Sequence, residues 1–144
     1  MYQGNRKHSV DHKGRLFIPA KFRKITPEEA NGTFVVSRGF DRCLSLYSLD
    51  VWSRIESKFS THLFPKKRVR NIERRLIGES EKVTMDEHGR VNIPKHFLEY
   101  AQIESDVVVI GLGNRLEIWN PELYKKYMDE TEKNLEEDLE DLDI

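Results

Sequence analysis

The 144-residue chain is 34% charged and 38% hydrophobic, with a single cysteine and a formal net charge of -1, a composition typical of one or two small soluble domains. One cysteine cannot form an intramolecular disulfide, and Cys43 has no nearby cysteine with which to hold structural zinc, so we expect a reducing cytoplasm. No apolar run approaches the roughly 18 residues of a membrane span, and the first residues lack the apolar stretch of a signal peptide.

Charge is distributed unevenly along the chain. Residues 1–75 contain 17 Lys and Arg against 7 Asp and Glu, whereas residues 76–144 contain 7 against 18. The basic excess is concentrated in residues 1–24 and 66–75, and the acidic excess in residues 129–144. Two basic clusters indicate binding to a polyanion such as nucleic acid, although charge alone fits an ordinary solvated surface equally well.

A duplicated motif organises the sequence. Residues 10–22, VDHKGRLFIPAKF, recur as residues 85–97, MDEHGRVNIPKHF, at an offset of 75. Asp, Gly, Arg, Ile, Pro and Phe match at fixed positions, and the similarity continues downstream of both copies. We therefore interpret the chain as a tandem duplication of one small unit.

Each copy of the motif begins with a turn. In Asp-x-x-Gly-Arg the Asp side chain bonds to the backbone two residues on, and the Gly accepts a positive φ. A short strand follows at residues 16–18 and 91–93, whose outer residues share one face, while Asn92 indicates that the opposite face tolerates water. Pro19 and Pro94 are then expected at the first position of a short helix.

Two further strands and helical segments complete each unit. In the second unit the pattern predicts a strand at 107–110, a turn at 111–114 and a strand at 116–119, and the matching turn of the first unit lies at 39–42. Helices are expected after both units. The helix after the first unit carries an apolar stripe of Trp52, Ile55, Phe59 and Leu63.

Neither unit is large enough to bury a convincing core alone, because each contains roughly 45 residues. We predict an α+β, β-rich fold in which the two units pack as pseudo-twofold partners, so that the two turns are related by internal symmetry. The predicted divisions are repeat 1 at 5–48, a helical connector with a basic cluster at 49–78, repeat 2 at 79–121, and a C-terminal helix with an acidic tail at 122–144.

The duplicated motif, together with residues 39–44 of the first unit and the Leu-Glu-Ile-Trp strand at 116–119, resembles the MraZ family of bacterial transcriptional regulators. The resemblance extends over residues 1 to 128. It implies two SpoVT-AbrB-like, swapped-hairpin-like units that form a small barrel flanked by helices. It also implies ring-shaped homo-oligomers, octamers or larger, that bind repeated promoter sites upstream of their own operon in the division and cell-wall gene cluster.

The Asp-x-x-x-Arg signature of that family falls on Asp11 and Arg15 and on Asp86 and Arg90. A guanidinium can bridge two phosphate oxygens or read guanine O6 and N7, so the two arginines are the main candidate DNA contacts. Alternatively, each arginine pairs with the Asp of its own turn and fixes the loop. The residues assigned to turn structure are Asp11, Gly14, Asp86 and Gly89.

Additional basic residues are expected to contact phosphates and so to set affinity and register. These residues, with a histidine of the second turn, are Lys7, Lys13, Lys21, Arg23, Lys24 and His88. Unit two has Glu87 where unit one has His12, and a carboxylate repels phosphate, which weakens the expectation of contact by unit two. The basic cluster of Lys66, Lys67, Arg68 and Arg70 has two open interpretations, a second phosphate surface or ion pairing with the acidic tail of a neighbouring subunit.

We predict neither an enzyme nor a cofactor. The sequence has no P-loop, Gly-x-Ser-x-Gly or His-Glu-x-x-His motif, and Gly111-Leu112-Gly113 fits a hairpin turn better than a dinucleotide site. Cys43 is expected to be a core thiol. His8 and His12 lie in a strand and turn, where a spacing of four does not bring the rings together, so no metal site is expected.

The sequence thus predicts a DNA-binding transcriptional regulator, with repression favoured, located in the cytoplasm and nucleoid and binding double-stranded DNA without any membrane association. One alternative is an antitoxin-like DNA binder whose acidic C-terminal segment wraps a toxin. Another is an oligomeric scaffold that does not bind DNA, in which basic and acidic ends neutralise each other between subunits.

Overall fold

The computed structural model describes residues 1–61 and 63–143, and its elements follow the duplication. The strands are β1 (Tyr2–Ser9), β2 (Arg15–Phe17), β3 (Thr33–Arg38), β4 (Leu44–Ser48), β5 (Glu81–Thr84), β6 (Arg90–Asn92), β7 (Asp106–Gly113) and β8 (Leu116–Trp119). The helices are α1 (Ala20–Ile25), α2 (Leu49–Ser60), α3 (Lys67–Leu76), α4 (Lys95–Tyr100), α5 (Pro121–Glu132) and α6 (Leu135–Asp141), with short 3₁₀ turns at Glu28–Ala30 and Phe40–Arg42.

The two units exchange their first strands. Six antiparallel strands form one sheet in the order β1-β7-β8-β4-β3-β5, and β2 pairs with β6 in a separate two-stranded ribbon. Strand β1 of the first unit pairs with β7 of the second, while β5 of the second unit pairs with β3 of the first. The order is unchanged when equivalent strands are interchanged, which confirms the predicted α+β fold with pseudo-twofold, swapped-hairpin-like units.

The ribbon connects the two edges of the sheet. Edge strand β1 leads through the first motif turn into β2, and edge strand β5 leads through the second into β6. The backbone N–H of Asp11 donates to the carbonyl of Arg15 at 3.0 Å, and that of Asp86 to the carbonyl of Arg90 at 2.8 Å. In the described residues the strands therefore form an open sheet completed by a ribbon, rather than one closed hydrogen-bonded barrel.

A single core is shared by both units. Equivalent residues are buried in each, Leu16 and Val91 in the ribbon and Phe22 and Phe97 in α1 and α4. Burial of apolar side chains is the main favourable term in folding. Because one cluster contains residues from both copies, each unit completes the core of the other.

Cys43 lies in a second, smaller cluster at the outer face of the sheet. It is buried beside Val108, Ile110 and Trp119, against which Tyr124 and Tyr127 of α5 pack. Burial, together with the nearby Glu117 carboxylate, raises the pKa of the Cys43 thiol. The protonated thiol is a packing group here and has little nucleophilic character.

The turn predicted at residues 111–114 lies further along the chain. Strand β7 continues through Gly113, and the chain reverses between it and β8. Gly111 is required inside the strand because a Cβ there would lie 2.7 Å from the carbonyl carbon of Tyr2 in β1. The glycine thus marks a close approach of two strands, and its interpretation as a turn signal was wrong.

Three helix boundaries also differ from the sequence predictions. Pro19 and Pro94 are N-cap residues with ψ of 139° and 142°, so each precedes its helix by one position with an extended backbone. Helix α2 ends at Ser60 and buries Trp52. Leu63, the last residue of the predicted apolar stripe, therefore lies beyond the helix and is 89% exposed.

Helices α3 and α6 lie on the surface, and none of their residues is buried. Helix α3 contains most of the basic cluster at 66–75, and α6 contains much of the acidic tail. Across residues 1–61 and 63–143, the helices lack the combination of length and apolar character that a bilayer span requires.

Candidate nucleic-acid interface

The carboxylate of Asp11 builds the first motif turn. Its Oδ1 accepts hydrogen bonds from the backbone N–H groups of Lys13 at 2.9 Å and Arg15 at 3.0 Å, and its Oδ2 accepts one from Nε of Arg15 at 2.7 Å. The backbone N–H of Arg15 is the main reason that the pKa of Asp11 is lowered to about 2. Gly14 has a φ of 84°, in the left-handed region that favours glycine.

The carboxylate of Asp86 builds the second turn with the same geometry. Its Oδ1 accepts from the backbone N–H groups of His88 at 2.8 Å and Arg90 at 3.0 Å, and its Oδ2 accepts from Nε of Arg90 at 2.9 Å. The backbone N–H of Arg90 lowers the pKa of Asp86, and Gly89 has a φ of 77°. The two turns therefore hold their arginines in the same way.

Both arginines are fixed at one end and accessible at the other. Each guanidinium pairs with its turn carboxylate through Nε. Its two terminal nitrogens make no hydrogen bond or ion pair among the described residues. The side chain of Arg15 is 30% exposed and that of Arg90 is 22% exposed. Pairing with the turn Asp thus restricts each arginine while leaving donors for an anion or a base edge.

The β2–β6 ribbon places both arginines on one outer face. Its central residues, Leu16 and Val91, are fully buried against the core. Because side chains alternate along a strand, the flanking residues lie on the opposite face. That outer face consists of Arg15 opposite Asn92 and Phe17 opposite Arg90.

Backbone hydrogen bonds tie each turn to the other unit. The N–H of Ile93 donates to the carbonyl of Gly14 at 2.8 Å, and the N–H of Ile18 donates to the carbonyl of Gly89 at 3.0 Å. The two turns therefore flank opposite ends of the short antiparallel ribbon, and each is held by the other unit. This arrangement fixes the relative position of the two arginines.

Three other candidate contacts also lie at the turns. Lys13 and His88 are exposed turn residues, and Arg23 of α1 packs its guanidinium against Gly89 of the other unit. His88 also lies 3.6 Å from the Glu87 carboxylate. The structure thus adds a positive charge from unit one to the second turn.

The three remaining lysines lie outside the turns. Lys7 is exposed on β1 opposite Val108, and Lys24 is exposed in the last turn of α1. Lys21 extends its ammonium toward Gly4 of β1, where a Cβ would lie 2.7 Å from Nζ. None of the three lies on the ribbon face. Lys21 and Lys24 lie on α1, whereas Lys7 lies on the face of the sheet that carries Val108, opposite the shared core.

The site prediction omitted Phe17 and Asn92, although both lie on the outer face of the ribbon. Phe17 is 46% exposed, and its ring centroid lies 5.8 Å from the guanidinium carbon of Arg90. The signal that identifies these residues is strand alternation, since each lies two positions after a motif arginine. Attention to charge alone misses them.

No cluster of three or more His, Cys, Asp or Glu side chains in residues 1–61 and 63–143 could hold a metal ion. His8 is on β1, and His12 is an exposed residue of the first turn.

Known proteins are similar in sequence to this chain along nearly its whole length. The profile of the MraZ family, described as "MraZ protein, putative antitoxin-like", matches residues 1–75 and 76–143. The "Transcriptional regulator MraZ" of Caldanaerobacter subterraneus subsp. tengcongensis is 42% identical over 143 residues, which cover 99% of this chain and 97% of that relative. The chain belongs to the MraZ family. Membership confirms the resemblance seen in the duplicated motif and the prediction that the chain is not an enzyme.

The two matches to the MraZ profile divide the chain at the C-terminal end of α3, between Arg75 and Leu76. Each match therefore contains one motif turn and one strand of the ribbon. The outer face of the ribbon is formed jointly by the two MraZ repeats.

Proposed function

We propose that this MraZ-family chain is a DNA-binding transcriptional regulator that acts on nucleoid DNA in the cytoplasm. The observation that carries the proposal is the outer face of the β2–β6 ribbon, where Arg15 and Arg90 are held side by side and their terminal donors have no partner in residues 1–61 or 63–143. Diagonal neighbours on such a face have Cβ atoms roughly 7–8 Å apart. A two-stranded antiparallel ribbon fits the major groove, where arginine pairs with guanine O6 and N7.

The surrounding cations are suited to contacts with the DNA backbone. Lys13, His88 and Arg23 lie at the two turns, and Lys21 and Lys24 extend the positive surface along α1. Lys7 adds a further cation on β1, on the face of the sheet that carries Val108. Phosphate contacts fix the register of a protein on the duplex without selecting sequence. In this proposal the lysines set affinity and the ribbon selects the site.

Affinity is proposed to depend on several subunits acting together. One ribbon supplies few contacts, so a ring of eight or more subunits that engages repeated promoter sites gains from high effective concentration. The proposed target is a set of repeats upstream of the chain's own operon in the division and cell-wall gene cluster, and the proposed outcome is repression. The name of the 42% identical relative supports the regulatory role.

Two complementary surface helices support assembly into a ring. Helix α3 exposes Ile72 among basic side chains. Helix α6 exposes Leu135 and Leu139 among acidic side chains, and Leu142 is exposed directly after the helix. No ion pair in the described part of the chain joins α3 to α6. We infer that α6 of one subunit packs on α3 of the next, a head-to-tail contact that can close into a ring.

The affinity of the protein for labelled DNA from the region upstream of its gene, measured by titration at 50 mM and 200 mM salt, tests the proposal. We expect affinity to fall by roughly tenfold or more between the two concentrations because phosphate contacts release counterions. Arg15→Ala should weaken binding by about 1–3 kcal/mol per contact, whereas Arg54→Ala on α2, a matched control for loss of an arginine, should not. Salt-independent binding, or full affinity in Arg15→Ala, contradicts the proposal.

Light scattering on the same samples tests the assembly. Leu139→Asp adds a charge to an exposed apolar stripe, so it should dissociate the oligomer while leaving the subunit folded. An unchanged mass would overturn the α3–α6 contact. The antitoxin-like alternative uses the same stripe on α6, and recovery of a small basic partner that Leu139→Asp releases would favour it.

A further inference from the structure

The internal symmetry of the ribbon is broken on its outer face. Arg15 and Arg90 occupy equivalent positions in the two units, but the position two residues later is Phe17 in one and Asn92 in the other. A symmetric reader presents the same groups to both halves of a palindromic site. This ribbon presents an aromatic ring at one end and a carboxamide at the other, so its two ends are chemically distinct.

Phe17 is an apolar side chain without a place in the core. Its neighbours in the chain, Leu16 and Ile18, are buried, whereas Phe17 remains 46% exposed on the opposite face. Aromatic and apolar side chains contact the C5-methyl group of thymine in the major groove. Residues on one face of a strand repeat every ~6.6 Å, close to two base-pair steps of roughly 3.4 Å each. Arg15 and Phe17 are therefore spaced to meet bases about two steps apart.

Asn92 offers a donor and an acceptor beside Arg15. Asn92 is exposed, and its side chain makes no hydrogen bond to any residue in 1–61 or 63–143. A carboxamide can donate to N7 and accept from N6 of adenine at the same time, which no other base permits. Cross-strand pairing fixes Asn92 opposite Arg15, so the adenine would neighbour the base that Arg15 contacts.

We propose that Phe17 and Asn92 determine the polarity of DNA recognition, with Phe17 contacting a thymine methyl group and Asn92 pairing with an adenine. The inference rests on the proposed DNA-binding function and adds base identity to it. A recognition element with two different ends binds a site that is not self-complementary and binds it in one orientation.

Selection from a random double-stranded oligonucleotide pool tests the polarity. The wild-type chain should select a motif that lacks twofold symmetry. Phe17→Asn gives the outer face the same two side chains in each unit, so its selected motif should become nearly palindromic. Asn92→Ala should lose its preference for adenine at one position by roughly tenfold. Phe40→Asn, which changes a 76% exposed phenylalanine on another loop, is the matched control and should select the wild-type motif.

Replacement of thymine by deoxyuridine tests the methyl contact without any change to the protein. Removal of the one methyl group that Phe17 covers should weaken wild-type binding roughly fourfold, the loss expected for one buried methyl group. The same replacement should have no effect on Phe17→Asn. Both readouts are measured on chains whose circular dichroism spectra match that of the wild type.

The possible failures are distinguishable. If the wild-type chain retains no oligonucleotide from the pool, the proposed DNA-binding function is wrong. If it selects a motif that Phe17→Asn and Asn92→Ala leave unchanged, or a motif with full twofold symmetry, DNA binding stands and the inference about polarity is overturned.

Discussion

The two motif turns have the same backbone geometry but different neighbours. Asp11 and Asp86 accept equivalent hydrogen bonds, yet a Cβ on Gly14 would meet Leu98 of α4 at 3.7 Å, whereas Gly89 faces Arg23 of α1. Arg23 and Leu98 are equivalent positions of the two units. The second turn therefore receives its cation from the other unit, which compensates for its acidic Glu87. The two units thus keep the same turn backbone but differ in the side chains that surround it.

Loss of a core phenylalanine tests whether the two units are equal in stability as well as in geometry. Phe22→Ala and Phe97→Ala should each reduce the free energy of unfolding by about 3–5 kcal/mol. Because the core is shared, each variant should unfold in one cooperative transition, measured in urea by both circular dichroism and tryptophan fluorescence. Phe40→Ala, an exposed control, should stay within about 0.5 kcal/mol of wild type. Separate transitions for the two halves would show that the units are independent.

Alanine at the two turn glycines should reveal the difference in their neighbours. A left-handed backbone costs a residue with a Cβ about 1–2 kcal/mol, so Gly89→Ala should lose about 1 kcal/mol once unfolded-state entropy is included. Gly14→Ala should lose more, because its Cβ would lie 2.8 Å from the backbone carbonyl oxygen of Ile93, whereas Arg23 beside Gly89 is a flexible side chain. Urea unfolding measures both values. Equal losses of stability in the two variants would show that the atoms around each glycine do not affect the cost of the substitution.

Acid should weaken the first turn over a defined pH range. The native state lowers the pKa of Asp11 from 3.8 to about 2, so its stabilising effect is complete above pH 4 and is lost as the pH falls toward 2. The stability difference between wild type and Asp11→Asn should therefore shrink over that range, as measured by urea unfolding. Asp86→Asn should change in the same direction, since the pKa of Asp86 is also lowered. A difference that grows on acidification would contradict the assigned hydrogen bonds.

Local chemistry made much of this fold predictable from the sequence. The turn carboxylates, the turn glycines and the alternation of Leu16 and Val91 follow from interactions between residues close in the chain. The exchange of strands between the units was expected only from the family resemblance. The periodicity of apolar residues predicts a strand but does not indicate which other strand it pairs with. Gly111 was misinterpreted for the same reason, since its role depends on β1, which is distant in sequence.

The candidate site was partly predictable for related reasons. Charge and motif identified Arg15 and Arg90, but they gave no indication that Arg23 packs on Gly89 across the unit boundary. Phe17 and Asn92 were missed because neither carries a charge. Their importance depends on the pairing of β2 with β6, which brings together segments 75 positions apart.

Strand exchange also constrains how the chain can be synthesised and divided. Tyr2 pairs with Gly113, so β1 has no partner until β7 has also left the ribosome. Pairing over such a sequence separation is slow and exposes an edge in the meantime. A fragment ending after the first repeat would present unsatisfied backbone groups along both β1 and β3, and would complete its sheet by intertwining with another copy of itself.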